Sequence, residues 1–324
     1  MAVYTHVSAE ALTRFLARYD VGELVSVKGI AEGVENSNYL VDTTGQSGEG
    51  GRFILTLYEK RVAATDLPFF MALLDHLDAR GIAVPPAIKD RTGTAIQELE
   101  GRPACLIRFL PGVSLSSPTP SQARAAGAAL GLLHAASHGF GMCRDNELGA
   151  TSWRPLLDRC GRDLDRIAPD LFARIDHALD KVEAAWPEGL RVGTIHADLF
   201  PDNVLMLGDR VTGLIDFYFA CTDIQAYDLA VMHSAWSFDA TGHPAPRIGA
   251  ELIAGYDDGI GLAGEERRAL PVLAMGACIR FALTRAWDWL HTPADALVTR
   301  KDPLAYVRRL EWYQSNPEAF AWPI

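Results

Sequence analysis

Strand-like apolar runs fill the first third of the chain, and helical periodicity fills most of the rest. Leu12, Phe15, Leu16 and Tyr19 recur at helical spacing behind Ser8, which predicts a Ser-capped helix over roughly 9–19. VGELVSVKGI, NYLVDTT and RFILTLY then read as strands; the polar loop AEGVENSN separates the first two, and the flexible turn GQSGEGG (45–51) separates the last two. A helix near 66–80, closed by Gly81, leads through VPPAI to a further strand and then to the apolar strand in RPACLIRFLPG. Past Pro111–Gly112 the character changes. SPTPSQARAAGAALGLLHAAS opens with a cap region and continues as an Ala/Leu-rich buried helix. Apart from one short hairpin at about 203–216, the remainder reads as helical.

A β-rich segment followed by an α-rich one predicts an α+β chain of two lobes. The expected division is a small N-terminal lobe over 1–110 and a larger C-terminal lobe over 111–324, with a hinge at about 108–113. The 324 residues suffice for both cores. A formal net charge of -11 argues against nucleic acid or an anionic membrane as partner, since both favour a basic surface. Any polyanionic ligand must therefore be held locally, by metal ions and placed donors. The five scattered cysteines form no C-x-x-C pair and suggest buried free thiols of a reducing compartment. With no signal-peptide pattern and no run of ~20 apolar residues, the expected location is cytoplasmic.

The chemistry concentrates in VGTIHADLFPDNVLMLGDRVTGLIDFY, beginning at residue 192. His196-x-Asp198 is followed five residues on by Asn203, and a short hairpin ends at Asp216. Phosphoryl transfer uses such a set: one carboxylate orients the acceptor hydroxyl and takes its proton, while an amide and a second carboxylate hold Mg²⁺ against the phosphates. H-A-D-L-F-P-D-N followed by G-L-I-D-F resembles the catalytic and metal-binding segments of the aminoglycoside/choline phosphotransferase superfamily, which has a protein-kinase-like fold. The resemblance implies Asp198 as catalytic base, His196 as organiser of the loop, and Asn203 and Asp216 as Mg²⁺ ligands. It also implies that Asp228, in Ala226-Tyr227-Asp228-Leu229-Ala230, buttresses the loop backbone; a plain helix-capping role is compatible with that.

For the nucleotide, the loop Ala31–Asn38 sits between two strands as a phosphate-binding loop would, with Gly33 its one glycine. Its backbone N–H groups and the side chains of Asn36, Ser37 and Asn38 could cradle phosphates; a plain β-turn is the alternative. Kinases place a cation on the third strand. Here Thr56 stands at that position, Lys60 and Arg61 follow it, and the helix at 66–80 carries no glutamate to pair with a cation.

For the acceptor, Tyr218 and the aromatic, carboxylate-bearing segments around it, with Trp236-Ser237-Phe238-Asp239, could wall a small pocket. Arg280, Thr284 and Asp288 share a helix face with Arg285 beside them. Arginine suits a carboxylate and Asp an ammonium, so this set fits a zwitterion, or else an ordinary salt-bridge cluster. These segments, with R-F-A-L-T-R-A-W-D-W-L and Lys301-Asp302-Pro303, resemble the bacterial homoserine kinases of the phosphotransferase superfamily over nearly the whole chain. That resemblance implies ATP and L-homoserine as partners, with Arg280 or Arg285 holding the substrate carboxylate. Choline or another amino alcohol, an aminoglycoside, and a scaffold without turnover remain the alternatives.

Overall fold

Ser8 accepts a hydrogen bond from the Ala11 amide at 3.1 Å and starts helix α1 (Ala9–Leu16). The structure is a computed structural model that describes residues 4–30, 36–45, 47–48, 50–59, 63–292 and 300–320. Gly33, Lys60, Arg61 and Trp322 lie outside the described residues. The chain divides into two compact units, Met1–Pro111 and Gly112–Ile324.

In the first unit, β1 (Leu24–Gly29), β2 (Ser37–Thr43) and β3 (Gly51–Leu57) precede α2 (Leu67–Asp78), and β4 (Gln97–Leu99) and β5 (Arg102–Arg108) follow it. They form one antiparallel sheet of order β1-β2-β3-β5-β4. Alternation along the strands gives the sheet two different faces. Leu55, Leu57, Ala104 and Leu106 join Leu12, Phe15 and Leu16 of α1 in one core. Thr56 and Cys105, paired in register, fall on the other face, where the Cys105 thiol meets Met71 of α2 at 3.8 Å. The further strand expected beyond VPPAI is reduced to the three residues of β4, and VPPAI itself makes only a single bridge, Ala87 to Ile107. The pair of prolines explains this, since proline lacks the N–H that a ladder requires.

The second unit runs α3 (Pro120–Ser137), α4 (Ala150–Cys160), α5 (Leu171–Ala185), β6 (Val192–Ile195), β7 (Val204–Leu207), β8 (Arg210–Leu214) and β9 (Cys221–Ile224). Four helices complete it: α6 (Gln225–Trp236), α7 (Pro246–Ile260), α8 (Gly264–His291) and α9 (Leu304–Ser315). Thr119 and Gln122 cap α3 reciprocally. The β7–β8 hairpin lies where the pattern predicts it. A second ladder, β6 with β9, was not foreseen, because its four-residue strands are too short for periodicity to register. α8 is long and apolar enough to cross a membrane by length and composition, contrary to the run-length reading. Most of it is buried inside the unit, which accounts for its composition.

α3 and α7 approach closely through glycines. A Cβ on Gly255 would stand 1.9 Å from the Arg124 carbonyl oxygen, and one on Gly127 would stand 2.0 Å from that of Leu252. In an open helix Gly→Ala gains ~1 kcal/mol of propensity. Here overpacking costs about 1–3 kcal/mol and should win. Gly255→Ala is expected to lower the melting temperature; a rise in a thermal scan would show that the two helices part at no cost.

His233 on α6 is buried, with Nδ1 2.6 Å from the Tyr313 hydroxyl, and burial pushes its imidazole down to about 3. In the unfolded chain the same group titrates near ~6.5. Above that pH both states are neutral and its contribution to stability is complete. As the pH falls from 6.5 toward 3, only the unfolded chain takes up the proton, so about 1.4 kcal/mol is lost per pH unit. Urea unfolding between pH 7.5 and 5 should show this loss, and His233→Gln should flatten the slope. An unchanged slope would refute the assignment.

Candidate active site

β6 leads directly into His196-Ala197-Asp198, and its pairing with β9 closes the intervening segment into one loop. Ala197 has φ 64°, the left-handed region that is strained for a residue with a Cβ. Its neighbours impose that conformation. The Asp228 carboxylate accepts the His196 amide at 2.6 Å and the Ala197 amide at 2.8 Å. Arg280 Nη1 donates to the Ala197 carbonyl.

Asp228 is fully buried in the first turn of α6, and its Oδ2 also lies 3.1 Å from His134 Nε2 of α3. His134 Nδ1 in turn lies 2.9 Å from the Tyr256 hydroxyl of α7. The glycine-mediated packing of α3 on α7 therefore sets the position of the loop. Burial works to raise the Asp228 carboxyl, but the hydrogen bonds to His134 and the His196 amide outweigh it and hold the group below its ordinary value.

His196 is buried and organises the segment around itself. Its Nδ1 accepts the Asp198 amide at 3.3 Å, so the hydrogen-bond network assigns the proton to Nε2, which donates to the Ile215 carbonyl at 3.0 Å. Burial pushes its imidazole down, which keeps it neutral and suited to accept at one nitrogen and donate at the other. The Ile215 amide donates to the Asn203 carbonyl at 3.0 Å. Both polar groups of the residue before Asp216 are thus tied to the loop that carries Asp198.

Asn203 is buried, with Nδ2 donating to the Asp198 carbonyl at 2.8 Å and lying 3.5 Å from its carboxylate. Asp216 is exposed and adopts φ 67° just past β8. Asp198 is half-buried. One loop and one strand end therefore hold two carboxylates and an amide at fixed spacing. Tyr218 follows in the helical turn Phe217–Phe219 and is half-buried.

The structure separates the remaining predicted residues. Arg280, 2% exposed, is held against the loop backbone and the rings of Phe219 and Phe281, with Cζ 5.7 and 4.6 Å from their centroids. Its Nη1 braces the Ala197 carbonyl, a role beside the one expected at the substrate carboxylate, and its Nε is buried without a partner among the described residues. Thr284 turns back to the Arg280 carbonyl, so the expected polar face is partly internal to the helix. Arg285 is half-buried, with Cζ 4.5 Å from the Tyr306 ring centroid, and is within electrostatic range of Asp198.

In the first unit, Ser37 is fully buried and its hydroxyl donates to Glu59 while accepting the Tyr4 and Thr5 amides. That corrects its expected role as a phosphate-cradling side chain, because it tethers the N-terminal segment instead. Asn36 Oδ1 accepts the Glu59 amide at 3.4 Å. Thr56 donates to Asn38 Oδ1 at 2.8 Å across β2 and β3. The α2 carboxylates Asp75 and Asp78 pair with Lys89 and Arg108, at 2.7 Å in each case.

Sequence reasoning missed His134 and Tyr256. A histidine inside the apolar run GLLHAAS was the available signal, since a buried polar side chain is the informative exception in a core helix.

An antiparallel β unit followed by a helical unit whose loop presents carboxylate, amide and carboxylate is the layout of kinase-like phosphotransferases. The chain belongs to the phosphotransferase enzyme family, whose sequence pattern matches residues 26–268. It is 52% identical over 324 residues to a homoserine kinase of Methylorubrum populi, covering 99% of each chain. It is 51% identical over 317 residues to a homoserine kinase of Gluconobacter oxydans, covering 97% of this chain and 99% of that one. Among solved structures it resembles a microcompartment-associated aminopropanol kinase, with TM-score 0.71, 20% identity, and 98% and 99% of the two chains covered. Amicoumacin kinase hAmiN also gives TM-score 0.71, at 14% identity, with 96% and 94% covered. At such identities these two establish the fold.

Proposed function

We propose that this chain transfers the γ-phosphoryl group of ATP to the side-chain hydroxyl of L-homoserine, forming O-phospho-L-homoserine on the route to threonine. The observation that carries the reaction is the braced loop, in which Asp198, Asn203 and Asp216 share one backbone hydrogen-bond network. The identity of about 50% over the whole chain to homoserine kinases carries the acceptor.

Asp198 orients the hydroxyl and accepts its proton as the new O–P bond forms and ADP departs with the electrons of the broken bond. Asn203 and Asp216 offer an amide oxygen and an exposed carboxylate, hard oxygen donors that suit Mg²⁺. Among the described residues no group of three His, Cys, Asp or Glu gathers as a metal cage. Two protein ligands completed by phosphate oxygens and water are what Mg²⁺ takes at kinase sites. Bound there, the ion supplies positive charge to the phosphate oxygens. His196 keeps Asp198 and Asp216 in register. Asn38, which holds the hydroxyl of the buried Thr56, faces the nucleotide from the sheet, the buried Asn36 and Ser37 shape the strand end beside it, and Tyr218 walls the acceptor. We place the enzyme in the cytoplasm, with ATP and L-homoserine as its small-molecule partners.

Coupled ADP release with Mg-ATP, comparing L-homoserine with choline, L-serine and an aminoglycoside, tests the proposal. Turnover should strongly favour L-homoserine. A preference for another acceptor would retain phosphoryl transfer and reject the substrate.

A further inference from the structure

Arg285 of α8 and Arg309 of α9 lie on the same aromatic ring. Their Cζ atoms are 4.5 and 4.6 Å from the centroid of Tyr306. Each makes one hydrogen bond to a backbone carbonyl: Arg285 Nη1 to Asp302 at 3.3 Å, and Arg309 Nη1 to Ser234 at 2.8 Å. Arg309 Nε is buried and has no partner among the described residues. No carboxylate among the described residues forms an ion pair with either arginine; the nearby Asp302 pairs with Arg308 instead.

Two adjacent, partly desolvated guanidiniums without a direct ion-pair partner among the described residues are unfavourable in a folded interior, and more so when their donors outnumber their acceptors; Asp198 and Asp302 act on Arg285 only through their longer-range charge. Burial, together with the charge of Arg309, pushes the Arg285 guanidinium below its ordinary value. This arrangement adjoins the catalytic loop. Phe200, two residues past Asp198, has its ring centroid 6.4 Å from that of Tyr306, and Lys301 Nζ lies 5.6 Å from the Phe200 ring. Ser234, which holds Arg309, is on α6, the helix whose first turn carries the loop-bracing Asp228.

We propose that Arg285 and Arg309, aligned on Tyr306, form the site that takes the α-carboxylate of the acceptor and so select an amino acid over a plain amino alcohol. This rests on the homoserine reading and goes beyond it by assigning the pair. Arg309 was not foreseen from the sequence, and the half-buried pair is preferred to Arg280, which is 2% exposed and sealed against the loop backbone at Ala197. A planar fork of donors matches a carboxylate bidentately, and a second guanidinium completes the charge.

The test is steady-state kinetics on wild type, Arg285→Gln, Arg309→Gln and Arg309→Lys, with L-homoserine and with 3-amino-1-propanol, which is the same molecule without its carboxylate. Each Gln variant should lose about 30-fold or more in kcat/KM for L-homoserine, the scale for removing one partner of a desolvated charge pair. Efficiency with 3-amino-1-propanol should stay within about threefold, a readout that general misfolding would not spare. Arg309→Lys should recover part of the loss, because it keeps the charge but not the fork. Unchanged homoserine kinetics in the Gln variants would overturn the pair while leaving the kinase reading intact. So would equal losses with both acceptors. A wild-type enzyme that phosphorylates 3-amino-1-propanol and ignores L-homoserine would instead strike the homoserine reading, and this inference with it.

Discussion

Asp198→Ala is expected to lower kcat by roughly 10²–10⁴-fold, the usual contribution of a positioned general base. The KM for ATP and the melting temperature should change little. Asp198 is half-buried, and its backbone is held independently of its carboxylate, through the amide bond to His196 and the carbonyl bond from Asn203. Truncation at Cβ leaves those two bonds in place. Asp198→Asn is the stricter variant, since it keeps the shape and removes only the capacity to take a proton. Near-wild-type turnover in either folded variant would dismiss Asp198 as the base.

The second large effect is on stability. Asp228→Ala should destabilise the protein by about 3–5 kcal/mol, the range for removing one partner of a buried charged network. Three groups lose their acceptor or ion partner at once: the amides of His196 and Ala197, and the Nε2 of His134, whose residues are all buried. Each orphaned buried donor alone costs about 1–3 kcal/mol. The strained Ala197 would also lose one of its two tethers, so turnover should fall with stability. Asp228→Asn retains one acceptor oxygen and should lie between. The stabilising role of Asp228 also has a pH limit. Its carboxyl is held below the ordinary value, so its contribution is present above about 4 and is lost as the pH falls through the native value. Chemical denaturation of both variants at pH 7.5 measures the effect; wild-type stability in Asp228→Ala would show that water or a neighbouring group replaces the carboxylate.

The reaction was legible in the chain because its parts are close in sequence. Asp198, Asn203 and Asp216 fall within one loop and one hairpin, so their spacing carries most of their geometry. The capped first helix, the strands of the β unit and the change in character after Pro111 were legible for a similar reason, being set by local periodicity and turn chemistry. Roles that depend on which way a side chain faces were not. Ser37 and Arg280 have suitable chemistry and suitable positions in sequence, yet burial commits one to Glu59 and the other to Ala197.

By itself the sequence determined the α+β composition, the carboxylate–amide–carboxylate set and the short hairpin that ends at its second carboxylate, and through family resemblance the acceptor. Only the tertiary structure decided what holds that set in place: the pairing of β6 with β9, the glycine contact of α3 with α7, the His134–Asp228 brace, and the shared ring beneath Arg285 and Arg309. The physical reason is distance along the chain. His134 and Asp228 are 94 residues apart, and the energy of a buried polar contact depends on desolvation that no local pattern records.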